Sequence, residues 1–471
     1  MSSLPSGGSS DGPDGGPLPS ASLPTHDVIG IGFGPSNLAL AIAAVEHNGQ
    51  ANDAERVAVR FFERQPAFGW HRGMLLDDAT MQVSFLKDLV TLRNPASGFS
   101  FLSYLHDCGR LVDFINHKTL FPLRLDFHAY LEWAAARVAD LVDWGHEVTR
   151  LEPVMSDDEV VAVDVTAREL TADGTGREVT YRARNVVIGT GLQPRFPQGI
   201  SGSEHVWHNQ QLLHRVEEID GAAAKRFVVV GAGQSAAEVT AFLHQRFADA
   251  EVVSVFSRYG YSPADDSPFA NRIFDPNAVD DFFEAPASVK EMLMGYHANT
   301  NYSVVDGDLI EELYRRQYQE KVVGRERLTM MNVARVEAVR EQGDSVAVTV
   351  RSLTSDRTFD IDADLAVFAT GYDPVDPLPL LGGLGAYCPP DHNGRLRVQR
   401  DYRVATTPGI RCGIYLQGGT EHTHGLSSSL LSTIAVRAGE ILDSVVSGIA
   451  TARLPQGGAK APVAALRHLI S

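Results

Sequence analysis

The chain has 471 residues, 44% of them hydrophobic, enough for two or three domains with their own cores. Its formal net charge of -18 argues against nucleic acid or an anionic membrane as the main partner. Cys108, Cys388 and Cys412 form no C-x-x-C, so neither a disulfide framework nor a dithiol redox centre is indicated, and reduced thiols in a cytoplasmic protein are expected.

Residues 1–25 are mostly Ser, Gly, Pro and Asp and read as a disordered tail, without the basic and apolar regions of a secretory signal. No apolar run reaches the roughly eighteen residues of a membrane span. His26 to His47 then reads as strand, tight turn and helix, with Gly30, Gly32, Gly34 and Pro35 at the turn. Such a turn sets backbone N–H groups and a positive helix end against a pyrophosphate. Val57–Arg64 reads as the next strand and carries Glu63 near its end, where a carboxylate can hold a ribose hydroxyl. The spacing exceeds the usual ~20 residues, and the polar stretch Asn48–Glu55 accounts for the excess. A plain surface carboxylate is the competing reading.

Residues 66–100 lack a regular pattern yet hold Trp70, His71, Gln82 and Lys87. Long irregular segments within a domain are usually functional. Phe127–Val138 looks helical; Glu147–Leu151, Val160–Thr166 and Glu178–Arg184 look like sheet; Asn185–Ile188 is a buried strand ending in Gly189-Thr190-Gly191.

A second fingerprint follows the strand that begins at Phe227: Gly231, Gly233, Gln234, Ser235 and Ala236. The strand after it, Glu251–Phe256, is followed by Ser257-Arg258 rather than by an acid, and an arginine suits the 2′-phosphate of NADPH. Two such units in one chain point to two dinucleotides facing each other and to electron transfer between them. Asp266 to Asp306 is polar and turn-rich; Arg335–Val339 and Ser345–Ser352 return to sheet. Asp364–Tyr372 is another buried strand ending in glycine, and Gly418–Gly425 leads into an amphipathic helix expected over Leu426–Val446.

The run Asp364-x3-Phe368-Ala369-Thr370-Gly371-Tyr372-x4-Pro377 resembles a signature of the flavin-dependent N-hydroxylating monooxygenases. Pro35 fits that family's first fingerprint. Met81–Leu89, Ser267–Asn271, Asn299–Val305 and Thr423–Ser427 are similar to its ornithine branch, and the resemblance spans about residues 26–450. It implies hydroxylation of the side-chain amine of L-ornithine with FAD, NADPH and O2 by way of a C4a-hydroperoxyflavin. The product, N5-hydroxyornithine, is a precursor of hydroxamate iron chelators and of N–N-bonded natural products. Among relatives, many are tetramers and some are monomers.

By the same resemblance, Gly30, Gly32, Gly34 and Pro35 hold the FAD pyrophosphate and Glu63 the ribose. Trp70, His71 and Gln82 follow along the flavin, with Val148 near the adenine. His424, Gly425, Leu426 and Ser427 open the final helix and aim its positive end at the flavin. Gly231, Gly233, Gln234, Ser235 and Ala236 cradle NADPH, with Arg258 on the 2′-phosphate and Asn301, Tyr302 and Ser303 also in contact. Lys87 takes the substrate carboxylate, Asn271 and Asn301 hold the substrate, and Ser427 or Ser429 lies near the amine. No side chain is assigned as catalytic acid or base, and no metal is expected. Neutral amides and hydroxyls suit the amine, since a carboxylate would keep it protonated and non-nucleophilic.

The expected architecture is α/β, with two Rossmann-like domains and a small, mostly helical substrate region. FAD-binding parts are expected over 26–205 and 355–450, an NADPH-binding domain over 206–354 with a substrate segment at 266–316, and a C-terminal tail over 451–471. The alternatives are the same chemistry on L-lysine or a diamine, which a hydrophobic pocket separates by only about 1–3 kcal/mol per methylene, or a Baeyer–Villiger-type flavin monooxygenase. A diamine would leave Lys87 unpaired, and the Baeyer–Villiger spacing fails at Phe196–Trp207. A disulfide reductase would need C-x-x-C; a non-enzymatic flavoprotein would leave Lys87, Asn271 and Asn301 without a shared purpose.

Overall fold

Two sheets, one mixed and one parallel, grow from the two glycine-terminated strands. The structure, a computed structural model, describes residues 23–453 except 172–175, 266 and 302, and leaves aside the side chains of 298–301 and 450–453. The expected tails lie almost wholly outside the described residues, although Thr25 already opens a strand and the last helix runs to Arg453.

The first sheet holds β1 (Thr25–Ile31), β2 (Val59–Glu63), β3 (Val142–Trp144), β4 (His146–Ser156), β5 (Glu159–Glu169) and β6 (Glu178–Ile188). Their order is β3-β2-β1-β6-β5-β4. β1 runs parallel to β2 and β6, whereas β4 and β5 form an antiparallel ribbon on the first half of β6. β7 (Leu192–Pro194) leaves this sheet. β8 (Val206–His208), β9 (Arg226–Val230), β10 (Glu251–Val255) and β11 (Leu328–Met331) build the second. β12 (Ala334–Glu341), β13 (Val346–Ser352) and β14 (Thr358–Ala363) form an antiparallel sheet sharing a core with the second.

β15 (Leu365–Phe368) then enters the second sheet beside β9, giving the order β11-β10-β9-β15-β8. The return to the first unit therefore comes after Phe368, not at residue 355 as the sequence suggested. The run Asp364–Phe368 satisfies its backbone in the second sheet. β16 (Tyr372–Pro374) pairs antiparallel with β7, so the two crossings between the units are stitched together. β17 (Gly413–Leu416) finally adds parallel to the end of β6.

The parallel strands are nearly continuous apolar runs because helices bury both of their faces. Val228 and Val229 are fully buried, as are Val186 and Val187. The first glycine helix, Pro35–Gln50, packs on the final helix, Ile434–Arg453, and contributes eight buried residues from Asn37 to Ala44. The substrate region is helical as expected, with Pro276–Glu284, Ala287–Asn301 and Gly307–Val323. Helix 124–136 stands where Phe127–Val138 was expected. Among the described residues, no helix is long and apolar enough to cross a membrane.

Candidate active site

Each glycine of the first turn is small for its own reason. A Cβ on Gly30 would stand 2.2 Å from the Phe61 ring of β2. Gly32 has φ +80, and its Cβ would lie 2.5 Å from the Gly189 carbonyl. A Cβ on Gly34 would meet nothing within 4 Å, since Gly34 faces an open cleft. Gly34 caps helix Pro35–Gln50, whose first-turn N–H groups have no partner within the helix. The buried Asn37 amide donates to the Gly32 carbonyl (2.7 Å) and fixes the turn. This is a cradle for an anion, with space left where a side chain would stand.

Glu63 closes one side of the cradle. Its carboxylate accepts from the Phe33 N–H (2.5 Å) and the Gln65 N–H (2.8 Å), so its position is set by backbone and its charge faces the cleft.

The second turn repeats the theme at the end of β9. Space for a Cβ on Gly231 is taken by the Ala369 carbonyl, at 2.4 Å. Gly233 caps helix Gln234–Arg246 and lies against Ser303, where an added Cβ would be 3.3 Å from the Ser303 Cα. Arg258 donates to the Ser303 carbonyl (2.9 Å), so Gly233, Ser303 and Arg258 do come together. Gln234 accepts from the Asp306 N–H (2.8 Å) and donates to Glu238 (3.0 Å). Tyr302 and the side chain of Asn301 lie outside the described residues.

Both turns open on one continuous cleft of about 2110 Å³. Of the expected residues, Gly32, Gly34, Pro35, Glu63, Trp70, His71, Gln82, Lys87, Val148, Gln234, Ser235, Asn271 and Ser429 line it. Lys87 is half-buried, with Nζ 5.5 Å from the centre of the Phe274 ring. Burial lowers its pKa, opposed by the negative charge of Asp275. Asn271 donates to the Ser267 carbonyl (3.3 Å).

His71 adopts left-handed φ +51 and sets its ring edge-on to Trp70 at 4.8 Å. Its side chain is exposed on the cleft, between the rings of Trp70 and Tyr372. Desolvation among these neighbours, helped by the positive charge of Arg124 and by His128, pushes its pKa down to about 4. The His71 ring is therefore neutral at physiological pH and adds no positive charge to the cleft.

The expectation for His424, Gly425, Leu426 and Ser427 needs correction. These residues are buried behind the wall and do not open the final helix. Glu421–His424 is a single helical turn, Leu426–Ser429 and Leu431–Thr433 are tight 3-10 turns, and the long helix starts at Ile434. The Ser427 carbonyl is occupied by the Thr433 hydroxyl (3.2 Å). Gly425, at φ +76, turns the chain there. The cleft instead receives Ser429 through Ser432 and Ile434, and the buried Ser432 Oγ there has no partner among the described residues. Ser429, not Ser427, thus stands at the wall. Gly30, Gly231, Gly233, Ala236 and Arg258 lie behind or beside it.

Other residues of the cleft escaped sequence reading. Arg124 lines it and makes a buried two-pronged ion pair with Glu238 (2.7 and 3.0 Å), joining helix 124–136 of the first unit to the second glycine helix. Tyr372 also lines it, its hydroxyl 3.3 Å from the Asn209 amide. The motif around Tyr372 flagged that segment; nothing local flagged Arg124.

An open cradle at Gly34, helix N-termini at two glycine turns and a buried Ser432 hydroxyl without a partner among the described residues fit two dinucleotides in one cleft. Comparison with known proteins agrees. The family model for L-lysine 6-monooxygenase/L-ornithine 5-monooxygenase matches residues 24–374. An L-ornithine N(5)-monooxygenase of Pseudomonas aeruginosa is 37% identical over 430 residues, covering 90% of this chain and 94% of that one. The ornithine N-hydroxylase of Kutzneria sp. 744, described with reduced FAD, NADP+ and L-ornithine, superposes with TM-score 0.85 at 50% identity, covering 90% of this chain and 99% of that chain. An L-lysine 6-monooxygenase of Pseudomonas syringae gives TM-score 0.78 at 31% identity over 90% of this chain and 100% of that chain. The likeness favours amine hydroxylases over the Baeyer–Villiger alternative. Fold, cleft and relatives agree, and the chain belongs to the L-lysine 6-monooxygenase/L-ornithine 5-monooxygenase family.

Proposed function

We propose that the protein hydroxylates the side-chain amine of L-ornithine to N5-hydroxyornithine, using FAD, NADPH and O2. The observation that carries this reading is that both glycine turns and the polar set Lys87, Asn271 and Ser429 open on one cleft. The stronger likeness to ornithine than to lysine hydroxylases supports ornithine as substrate.

FAD would lie along Gly32, Gly34, Pro35 and Ser36, with Glu63 at its ribose, Val148 at its adenine and Trp70, His71 and Gln82 along its length. NADPH would lie at Gln234 and Ser235, with Arg258 on its 2′-phosphate and residues 301–303 beside it. When bound, the flavin supplies the activation of dioxygen that no side chain can provide. The residues of the chain position and select. Lys87 would pair with the α-carboxylate, which fixes one end of the amino acid. Asn271, Asn301 and Ser429 would hold the other end with groups that do not stabilise its ammonium form. The amine then loses its proton readily and keeps its lone pair for the oxygen atom. Packing by Trp70, Phe274 and Tyr372 would keep water from competing. NADPH supply and reduced thiols both suit a cytoplasmic setting, and the product is suited to hydroxamate siderophores or N–N-bonded natural products.

The test is product formation by the FAD-loaded chain with NADPH and air. L-ornithine should give hydroxylamine product matched to NADPH consumed, and L-lysine and cadaverine far less. Hydrogen peroxide as the only product with all three would sink the reading.

A further inference from the structure

The last helix places an arginine where its charge has no visible purpose. Arg437 is 2% exposed, one of the most deeply buried large side chains in the molecule. Its Nε donates to Gln417 Oε1 (2.9 Å), one terminal nitrogen donates to the Ser428 carbonyl, and the other to Ser36 Oγ (3.1 Å). All three acceptors are neutral. Arg437 has no ion-pair partner among the described residues. Glu440, one turn along the same helix, is committed to Arg400 through two bonds of 2.9 Å. Burying an unpaired charge is among the costlier things a fold can do, and it is sustained where a counter-ion arrives.

Ser36 connects that charge to the cleft. It is the second residue of the first glycine helix and lines the cleft. Its carbonyl accepts from Gln417 (3.2 Å) while its Oγ accepts from Arg437, so the residue is held from behind at two points. With the Oγ lone pair engaged by a guanidinium, the hydroxyl hydrogen is strengthened as a donor and left for the cleft side.

We propose that Arg437 is a positioning residue of the first nucleotide turn: it is the buried countercharge for the diphosphate of the bound dinucleotide, acting through the Ser36 hydroxyl. This rests on the reading that FAD occupies that turn. The same guanidinium grips the Ser428 carbonyl, next to Ser429 at the cleft wall, so cofactor turn and substrate loop share one anchor.

The test compares wild type with R437Q, R437K, S36A and the double variant R437Q/S36A. FAD and ADP affinities of the apoprotein, flavin midpoint potential, and the thermal midpoint with and without FAD are measured. R437Q should weaken both FAD and ADP roughly 10- to 100-fold and shrink the FAD-induced rise in Tm, with the midpoint potential unmoved. R437K should recover part of the affinity. S36A should weaken FAD less, and R437Q should cost less on the S36A background than alone. Unchanged FAD and ADP affinity in R437Q with a lower apoprotein Tm would make Arg437 merely structural and overturn the proposal. So would a change in midpoint potential alone, which would assign the charge to the flavin ring. If R437Q does not fold, S36A at wild-type FAD affinity overturns the proposal, and weakened binding supports it. A wild-type chain that takes up no FAD would instead overturn the functional reading.

Discussion

Removing the Glu238 charge is expected to loosen the two nucleotide units from each other. Glu238 and Arg124 are 5% and 13% exposed at their side chains and are joined by bonds of 2.7 and 3.0 Å. Two unit charges about 4 Å apart attract by about 4 kcal/mol at an effective dielectric of 20. Breaking such a pair from one side leaves the partner buried and uncompensated, which typically costs about 3–5 kcal/mol. Glu238→Gln is therefore expected to destabilise the protein by about 3 kcal/mol or more. R124M/E238M, which removes both charges and keeps the volume apolar, should lie within about 1 kcal/mol of wild type. Urea unfolding of wild type, R124M, E238M and R124M/E238M closes the cycle, with E238Q measured beside it. A loss below about 0.5 kcal/mol in E238Q, or additive losses in the double variant, would refute the reasoning.

Lys87→Ala should raise the KM for L-ornithine roughly 10- to 100-fold, with kcat changed far less; an unchanged KM would remove Lys87 from the carboxylate. Ser429→Ala should lower coupling of NADPH oxidation to product, whereas Ser427→Ala, buried behind the wall, should affect thermal stability alone; the reverse pattern would restore Ser427 to the site. Because the free side-chain amine has a pKa near ~10.4, turnover should climb from pH 7 to 9. Burial lowers the Lys87 pKa, so its charge is lost at a lower pH than a free lysine's and KM should climb earlier on the alkaline side than a free lysine would allow; turnover that stays flat from pH 7 to 9 would contradict the deprotonation step. His424 is buried against Tyr402, with its pKa pushed down from 6.5 to about 4, chiefly by burial. The unfolded chain then binds the extra proton first, so stability is full above pH 6.5 and falls as pH drops toward 4, by about 3 kcal/mol at most. A His424→Gln variant that keeps the full acid sensitivity would locate it elsewhere.

What could be read from the chain without coordinates was local chemistry. Gly30, Gly32 and Gly34 announce a turn because their backbone requirements fall within five residues, and the apolar runs at Val186–Ile188 and Phe227–Val230 announce strands buried on both faces. The boundary near residue 355 was misplaced because β15 pairs with β9, well over a hundred residues earlier. The start of the last helix was misplaced because the turns from Gly425 to Thr433 are held by tertiary contacts such as Arg437 on Ser428. Arg124 and Arg437 look like ordinary helix-surface residues in the sequence. Their partners, Glu238 and Ser36, lie 114 and 401 residues away.

The placement of β17 bears on how the protein is made. The end of β6 is flanked on one side by β1, near the start of the chain, and on the other by β17, beginning at Gly413. The last strand of the second sheet ends at Phe368, so once that residue has emerged from the ribosome the unit can close while the first still exposes the apolar edge at Val186–Ile188. A nascent chain stalled near residue 400 would carry one finished half and one sticky one. Messages truncated in that interval should load chaperones and proteases out of proportion to the length of chain they lack.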